Sequence, residues 1–199
     1  MTSLSRFCPS CSTKRATLWA EFIREQVIRP VPHRHLVFAL PKILRPSFRR
    51  RRRLLPKLTL CVWKALSAFL REDTGNDTLP AAIVSIQTAG KFLNWHPHLH
   101  VRAPAGAFRA DGGFVHSIAL DTGVLRGLFQ ANVLTLLRKE RLISPERVER
   151  MREWRHSGFH AYAGTLPTAP PPTTEKSGHP PATGTTTTSS GSSVSPRTS

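Results

Sequence analysis

Histidine recurs at every second position in Asn94-Trp95-His96-Pro97-His98-Leu99-His100, the stretch of this chain whose residue types are best suited to chemistry. A β-strand sends residues i, i+2 and i+4 to one face, so on a strand the three imidazoles project together. Neutral imidazole is the commonest metal-ligating side chain. Two of them hold a divalent ion and leave positions open for a substrate oxygen, which is a catalytic arrangement rather than a closed structural one. A lone histidine is more often an ordinary surface or core residue, but strict alternation in apolar surroundings favours metal. Cys8-Pro9-Ser10-Cys11 is a second candidate, with zinc-ligand spacing. A structural zinc site wants four ligands, and two are evident here. With Cys61 as the remaining cysteine, the chain has no disulfide framework.

Charge points to a polyanionic partner. The chain of 199 residues carries a formal net charge of +17, and its hydrophobic content of 39% is enough for one domain with extensions. Residues 1–71 hold 16 of the Lys and Arg against 2 acidic groups, residues 72–164 hold 11 against 9, and the remainder holds 2 against 1. The basic face therefore belongs to the N-terminal part, and nucleic acid is the partner that such a stripe fits best, through phosphate contacts and counterion release. Its densest point is Arg49, Arg50, Arg51, Arg52 and Arg53, which read equally as a phosphate-facing patch and as a solvated helix start. A membrane partner is disfavoured, because no apolar run approaches the ~18 residues that span a bilayer and no signal peptide opens the chain. A soluble intracellular protein is the expectation.

The elements that must position these groups follow from periodicity. Residues 12–28 carry Leu18, Phe22, Ile23 and Val27 at helical spacing, and Pro30 stops the run. His35–Leu40 reads as a strand between prolines. Leu54, Leu58, Val62, Ala65 and Phe69 form one helical face after the arginine block. Residues 81–88 and His96–Ala103 read as strands, and Asp111-Gly112 as the turn between Ala107-Phe108 and Phe114-Val115. Val124, Leu125, Leu128, Val133, Leu136 and Leu137 mark an amphipathic helix, and Ser144-Pro145 has the N-cap and N1 chemistry of a shorter one. From Thr165 onward Thr, Ser, Pro and Gly dominate, leaving too little apolar area to offset ordering entropy, so residues 165–199 are expected to be disordered. The sum is an α+β protein with a mainly antiparallel sheet flanked by helices.

Several of these strings resemble a known family. His98-Leu99-His100 is similar to the His-hydrophobic-His signature of the HUH nucleases, and the longer string from Asn94 resembles the form in rolling-circle insertion-sequence transposases of the two-tyrosine class. Arg29-Pro30-Val31-Pro32-His33-Arg34-His35-Leu36-Val37-Phe38-Ala39-Leu40-Pro41 resembles that family's first motif. Ile83-Val84-Ser85-Ile86-Gln87-Thr88 resembles the strand before the histidines, and Trp154-Arg155-His156-Ser157-Gly158-Phe159 a later string. Cys8-Pro9-Ser10-Cys11 looks like the last half of the zinc-binding module that precedes the nuclease. The likeness spans residues 7–165, with the motifs in the family's order. It implies residues 1–30 as a remnant of the zinc module with a basic helix, residues 31–164 as an incomplete HUH-type domain, and a chain truncated at both ends.

The resemblance implies Mg²⁺ or Mn²⁺ held against the scissile phosphate of single-stranded DNA, with His98 and His100 as ligands and Gln87 as a third. His96 would support a ligand or stack on Trp95, and Zn²⁺ would belong to Cys8 and Cys11. Such enzymes nick DNA and transfer strands by means of tyrosine nucleophiles on a helix downstream of the histidines. Here the chain departs from its family. Tyr162 is its one tyrosine, it corresponds to a non-catalytic position, and its Gly-rich surroundings next to the tail disfavour a helix. DNA and metal binding without the nucleophile is one expectation. A non-enzymatic basic nucleic-acid-binding protein with structural histidines is the other, and a zinc-dependent regulator would need two ligands that the sequence does not offer.

Overall fold

The computed structural model describes residues 8–165 apart from Lys91, Leu93, Ile118 and Arg155; the stretch expected to be disordered lies outside them except for Thr165. Four strands, β1 (His33–Ala39), β2 (Ile83–Ala89), β3 (Trp95–Pro104) and β6 (His160–Thr165), form a sheet in the order β2-β3-β1-β6. Every pairing is antiparallel. A separate hairpin of β4 (Gly106–Phe108) and β5 (Phe114–His116) turns at Asp111-Gly112, where the Asp111 carboxylate accepts from the Gly113 N–H at 2.8 Å and Gly112 adopts φ +88°. The α+β expectation therefore holds.

Alternation of apolar residues gives the sheet one buried face. Leu36 and Phe38 of β1 and Leu99, Val101 and Ala103 of β3 are buried, and Val84, Ile86, Ala161 and Ala163 pack against them. Two helices cover this face. In α3 (Leu54–Thr74) the expected stripe of Leu54, Leu58, Val62, Ala65 and Phe69 is buried throughout. In α4 (Thr122–Lys139) Leu125, Phe129, Val133 and Leu137 are buried, whereas Val124 on the expected stripe is 50% exposed. The two helices are joined by Asn132, whose amide donates to the Cys61 carbonyl at 3.1 Å. Burial pushes the Cys61 thiol up to about 11, so it packs as a small apolar group. Ser144 caps α5 (Pro145–Arg152) as its sequence suggests, accepting from the Arg147 N–H. Asp121 caps α4 in the same way through Gly123 and Val124.

Two expectations need correction. The first helix begins at Pro9 as α1 (Pro9–Phe22) and continues as a π-helical turn over Ile23–Val27, yet none of its residues is buried. Leu18, Trp19, Phe22 and Val27 are exposed, with the Trp19 and Phe22 rings 5.6 Å apart against each other. Helical spacing alone does not say whether a face has a partner. The second correction concerns residues 160–165, where the sequence reading disfavoured a helix and placed no strand. They form β6, an edge strand paired with β1 from Ala39↔His160 to Arg34↔Thr165. Gly158 makes the turn into it at φ +69°, and a Cβ there would lie 2.9 Å from Pro41 Cβ.

The core prediction rests on Phe129. Its ring meets Phe38 at 5.1 Å and Phe159 at 5.8 Å between centroids, both edge-on, and is fully buried. Phe129→Ala should lower stability by about 3–5 kcal/mol, read as a shift in the urea midpoint with the slope unchanged.

Candidate functional site

The face of the sheet opposite the core carries the histidines. Residues paired across an antiparallel ladder share a face. Gln87 of β2 and Ala39 of β1 flank His98; Ser85 and Val37 flank His100; and Val37 in turn pairs with Tyr162 of β6. Parity places His35 and His160 on the same face. His98, His100, Gln87, His96 and Tyr162 thus share one face of the sheet, with Tyr162 two strands away from His100. His35 and His160 belong with them and were not singled out from sequence, although His35 lies two residues from Val37 on a strand whose parity was legible.

A proline in a central strand needs an explanation, since it lacks the N–H that a ladder uses. Pairing runs from Gln87↔His98 to Ala89↔Trp95, so β3 holds one more residue than β2 between those pairs, and Pro97 sits in that bulge. Beyond Ala39↔His98 no β1 residue pairs with it. The bulge re-aims the strand end while keeping the rings in a row, with centroids 5.1 Å apart from His96 to His98 and 5.0 Å from His98 to His100. Gly90 closes the turn between β2 and β3. A Cβ there would lie 2.3 Å from Asn94 Oδ1 and 2.9 Å from His96 Cβ, so a side chain would displace His96.

His98 and His100 each have one ring nitrogen engaged. His98 Nδ1 lies 2.7 Å from the His96 carbonyl, an acceptor, which makes Nδ1 the protonated nitrogen and leaves Nε2 with its lone pair. His100 Nδ1 lies 3.0 Å from His35 Nε2, the two rings within 5° of parallel. The Nε2 atoms of His96 and His100 are buried without a hydrogen-bond partner. Burial first, and then the charge of His98 and His35, hold His100 below the ordinary imidazole value. His96 is lowered by burial, then by Arg45, His98 and His160. Both are therefore neutral at pH 7, the protonation state that ligates metal.

The remaining candidates are dispersed. Tyr162 is 65% exposed, and its ring leans over Gly164, where a Cβ would lie 3.4 Å from it. Cys8 precedes α1, and hydrogen bonds from Cys11, backbone then side chain, hold its thiol below the usual value. Among the described residues no three His, Cys, Asp or Glu side chains gather closely enough to hold an ion, at the cysteines or at the histidines. The five arginines divide. Arg49 and Arg50 end α2 (Arg45–Arg50), which follows a 3₁₀ turn over Lys42–Leu44. Arg51 donates to the Glu140 carbonyl at 3.4 Å, and Arg53 lies 3.8 Å from the Glu140 carboxylate, which Lys57 also binds and holds below its ordinary value.

Comparison with known proteins agrees with this layout. Residues 1–40 match the family described as "Transposase zinc-binding domain", and residues 82–164, which hold Gln87, the histidine row and Tyr162, match the one described as "Putative transposase". The transposase for insertion sequence element IS801 of Pseudomonas savastanoi pv. phaseolicola is 34% identical over 108 residues, 54% of this chain and 25% of that protein. Over these stretches the chain is similar to transposases of insertion sequences. The putative transposase y4qJ of Sinorhizobium fredii is 28% identical over 111 residues, 54% of this chain and 27% of that protein. The chain spans about a quarter of the length of the curated relatives it matches. No solved structure matches it. Among the described residues no helix is long and apolar enough to cross a membrane.

The depressed histidines predict how this chain responds to acid. In the unfolded chain they protonate near their ordinary value of about 6.5, before the folded chain does. Stability is then fully present above that pH and falls as pH drops from there toward the lower folded values. The urea midpoint should decrease between pH 7.5 and 5.5, and His96→Asn/His100→Asn should show a smaller decrease than wild type.

Proposed function

We propose that this chain is the metal- and DNA-binding part of a transposase, holding a divalent cation at His98 and His100 and single-stranded DNA beside it. The observation that carries this reading is the division of labour on the two rings. Each has Nδ1 engaged by a neighbour, the His96 carbonyl for His98 and His35 for His100, and the Nε2 of His100 is buried with no hydrogen-bond partner. A second group that fixes the tautomer of a ligating histidine is the usual support of a metal site. In that tautomer His100 donates from Nδ1 to His35. Two imidazole nitrogens with the Gln87 amide oxygen opposite His98 make a mixed N/O donor set suited to Mn²⁺ or Mg²⁺ with open positions. When bound, the ion supplies positive charge to a phosphate oxygen.

The residues around it do the rest. His35 orients His100, and the His96 carbonyl orients His98. Zn²⁺ at Cys8 and Cys11 would require two further ligands. The family's covalent step needs a tyrosine hydroxyl held in line with the phosphate, where misplacement by about an ångström is costly. Tyr162 sits on an edge strand rather than a helix, two strands from His100, with its ring turned over Gly164. In this reading the chain binds without forming the covalent intermediate.

Calorimetry with Mn²⁺ at pH 7.5 should give saturable heat with wild type and none with His98→Ala/His100→Ala. The affinity should weaken in acid as His100, which burial holds below the ordinary imidazole value, takes up a proton. Equal heats from both proteins would leave the histidines a structural role. Incubation with Mn²⁺ and labelled single-stranded DNA should give no adduct that survives denaturation; one that disappears in Tyr162→Phe would make Tyr162 the nucleophile.

A further inference from the structure

A basic groove with an aromatic wall opens beside the histidine row. Lys42, Arg45, Pro46, Arg49, Arg50 and Trp95 line it. Trp95 is the first residue of β3, next in sequence to His96, and its indole N–H donates to the Arg45 carbonyl at 3.2 Å, which fixes the ring against α2. Arg45 and Arg49 are one helical turn apart and share a face. The Arg45 guanidinium is tied to the Leu40 carbonyl at 3.2 Å, and its charge depresses His96, so the groove and the row lie within one electrostatic reach. Arg52 lies over the Trp95 ring at 5.4 Å from its centroid, showing that a planar group fits on that face. Unlike Arg51, Arg53 and Lys57, which Glu140 compensates, Lys42, Arg49 and Arg50 have no acidic partner among the described residues.

The geometry points to this groove as the seat of one nucleotide of a single-stranded DNA chain, its base stacked on Trp95 and its flanking phosphates on Lys42, Arg45, Arg49 and Arg50. Uncompensated cations bind backbone phosphate, and aromatic faces take unpaired bases of any identity; the combination selects single strands over duplex, whose bases are already stacked. An arginine plane over the indole occupies the space a base would take, so Arg52 moves from the ring to phosphate when the strand enters. The strand then runs from the groove toward His96 and His98. The inference rests on the proposed DNA-binding reading but requires no metal.

The test is therefore made in EDTA with the full chain, a 12-nucleotide oligothymidylate and a 12-base-pair duplex. Wild type should prefer the single strand. Trp95→Ala should weaken single-strand binding about 10- to 100-fold with little change in duplex binding, and Trp95→Phe, which keeps a stacking face, should retain most of the affinity. Arg49→Ser/Arg50→Ser should lower the slope of log affinity against log salt by about 0.7 per lost phosphate contact. Irradiation of wild type with an oligonucleotide carrying 5-iodouracil should attach the base at Trp95. Equal losses on both DNAs from Trp95→Ala, an unchanged salt slope, or an adduct at the exposed Phe92 instead would overturn the proposal. Failure of Mn²⁺ binding with these results intact would remove the metal site and keep the groove.

Discussion

Side-chain parity along β3 is the constraint on which the rest depends. This strand lies inside the sheet, between β2 and β1, so its odd-numbered residues Leu99, Val101 and Ala103 must be buried while its even-numbered neighbours face the other way. Burying a large aliphatic or aromatic side chain stabilises by roughly 1.5–3 kcal/mol. A slip of one residue would turn that whole set to solvent and bury His98 and His100 instead. The histidine row therefore owes its position to residues that take no part in its chemistry. The same energy fixes β1, where Leu36 and Phe38 face inward and send His35 outward to meet His100.

Most of this was legible because it depends on local period. The three long strands, the stripe of α3, the hairpin at Asp111-Gly112 and the Ser144 cap come from patterns that a few residues carry by themselves. What was hidden depends on which strand becomes whose neighbour. β6 is short, contains Gly164 and resembles a loop; pairing with β1 makes it a strand, because the edge of β1 supplies hydrogen bonds that His160–Thr165 cannot make alone. Tyr162 joins the histidine face for that reason alone. Likewise, α1 has apolar residues at helical spacing that the described residues do not cover, a fact about tertiary contact that no periodicity contains.

The site was half legible for a similar reason. His96, His98 and His100 are related by sequence distance, and strand parity is enough to group them. His35 is 65 residues from His100, and Trp95 is 50 from Arg45; only the register of β3 with its neighbours brings each pair within hydrogen-bonding distance. The arginine block shows the converse. Read as a run it is uniform, whereas Glu140, arriving from the end of α4, draws Arg51, Arg53 and Lys57 aside and leaves Arg49 and Arg50 turned to the groove.

That division bears on how the proposed metal and strand would influence each other. Burial first, and then the charge of Arg45, hold His96 below the ordinary imidazole value, and that positive charge would oppose the arrival of a dication at the neighbouring His98 and His100. A phosphate in the groove would cancel part of that field, so each ligand would make the site better for the other. Linkage requires the effect to be reciprocal in free energy. In the proposed reading, histidines beside arginines would suit an ion and an anion together more than either alone. Histidines would serve there as uncharged donors, because carboxylates in the same places would neutralise the arginines before any DNA reached them.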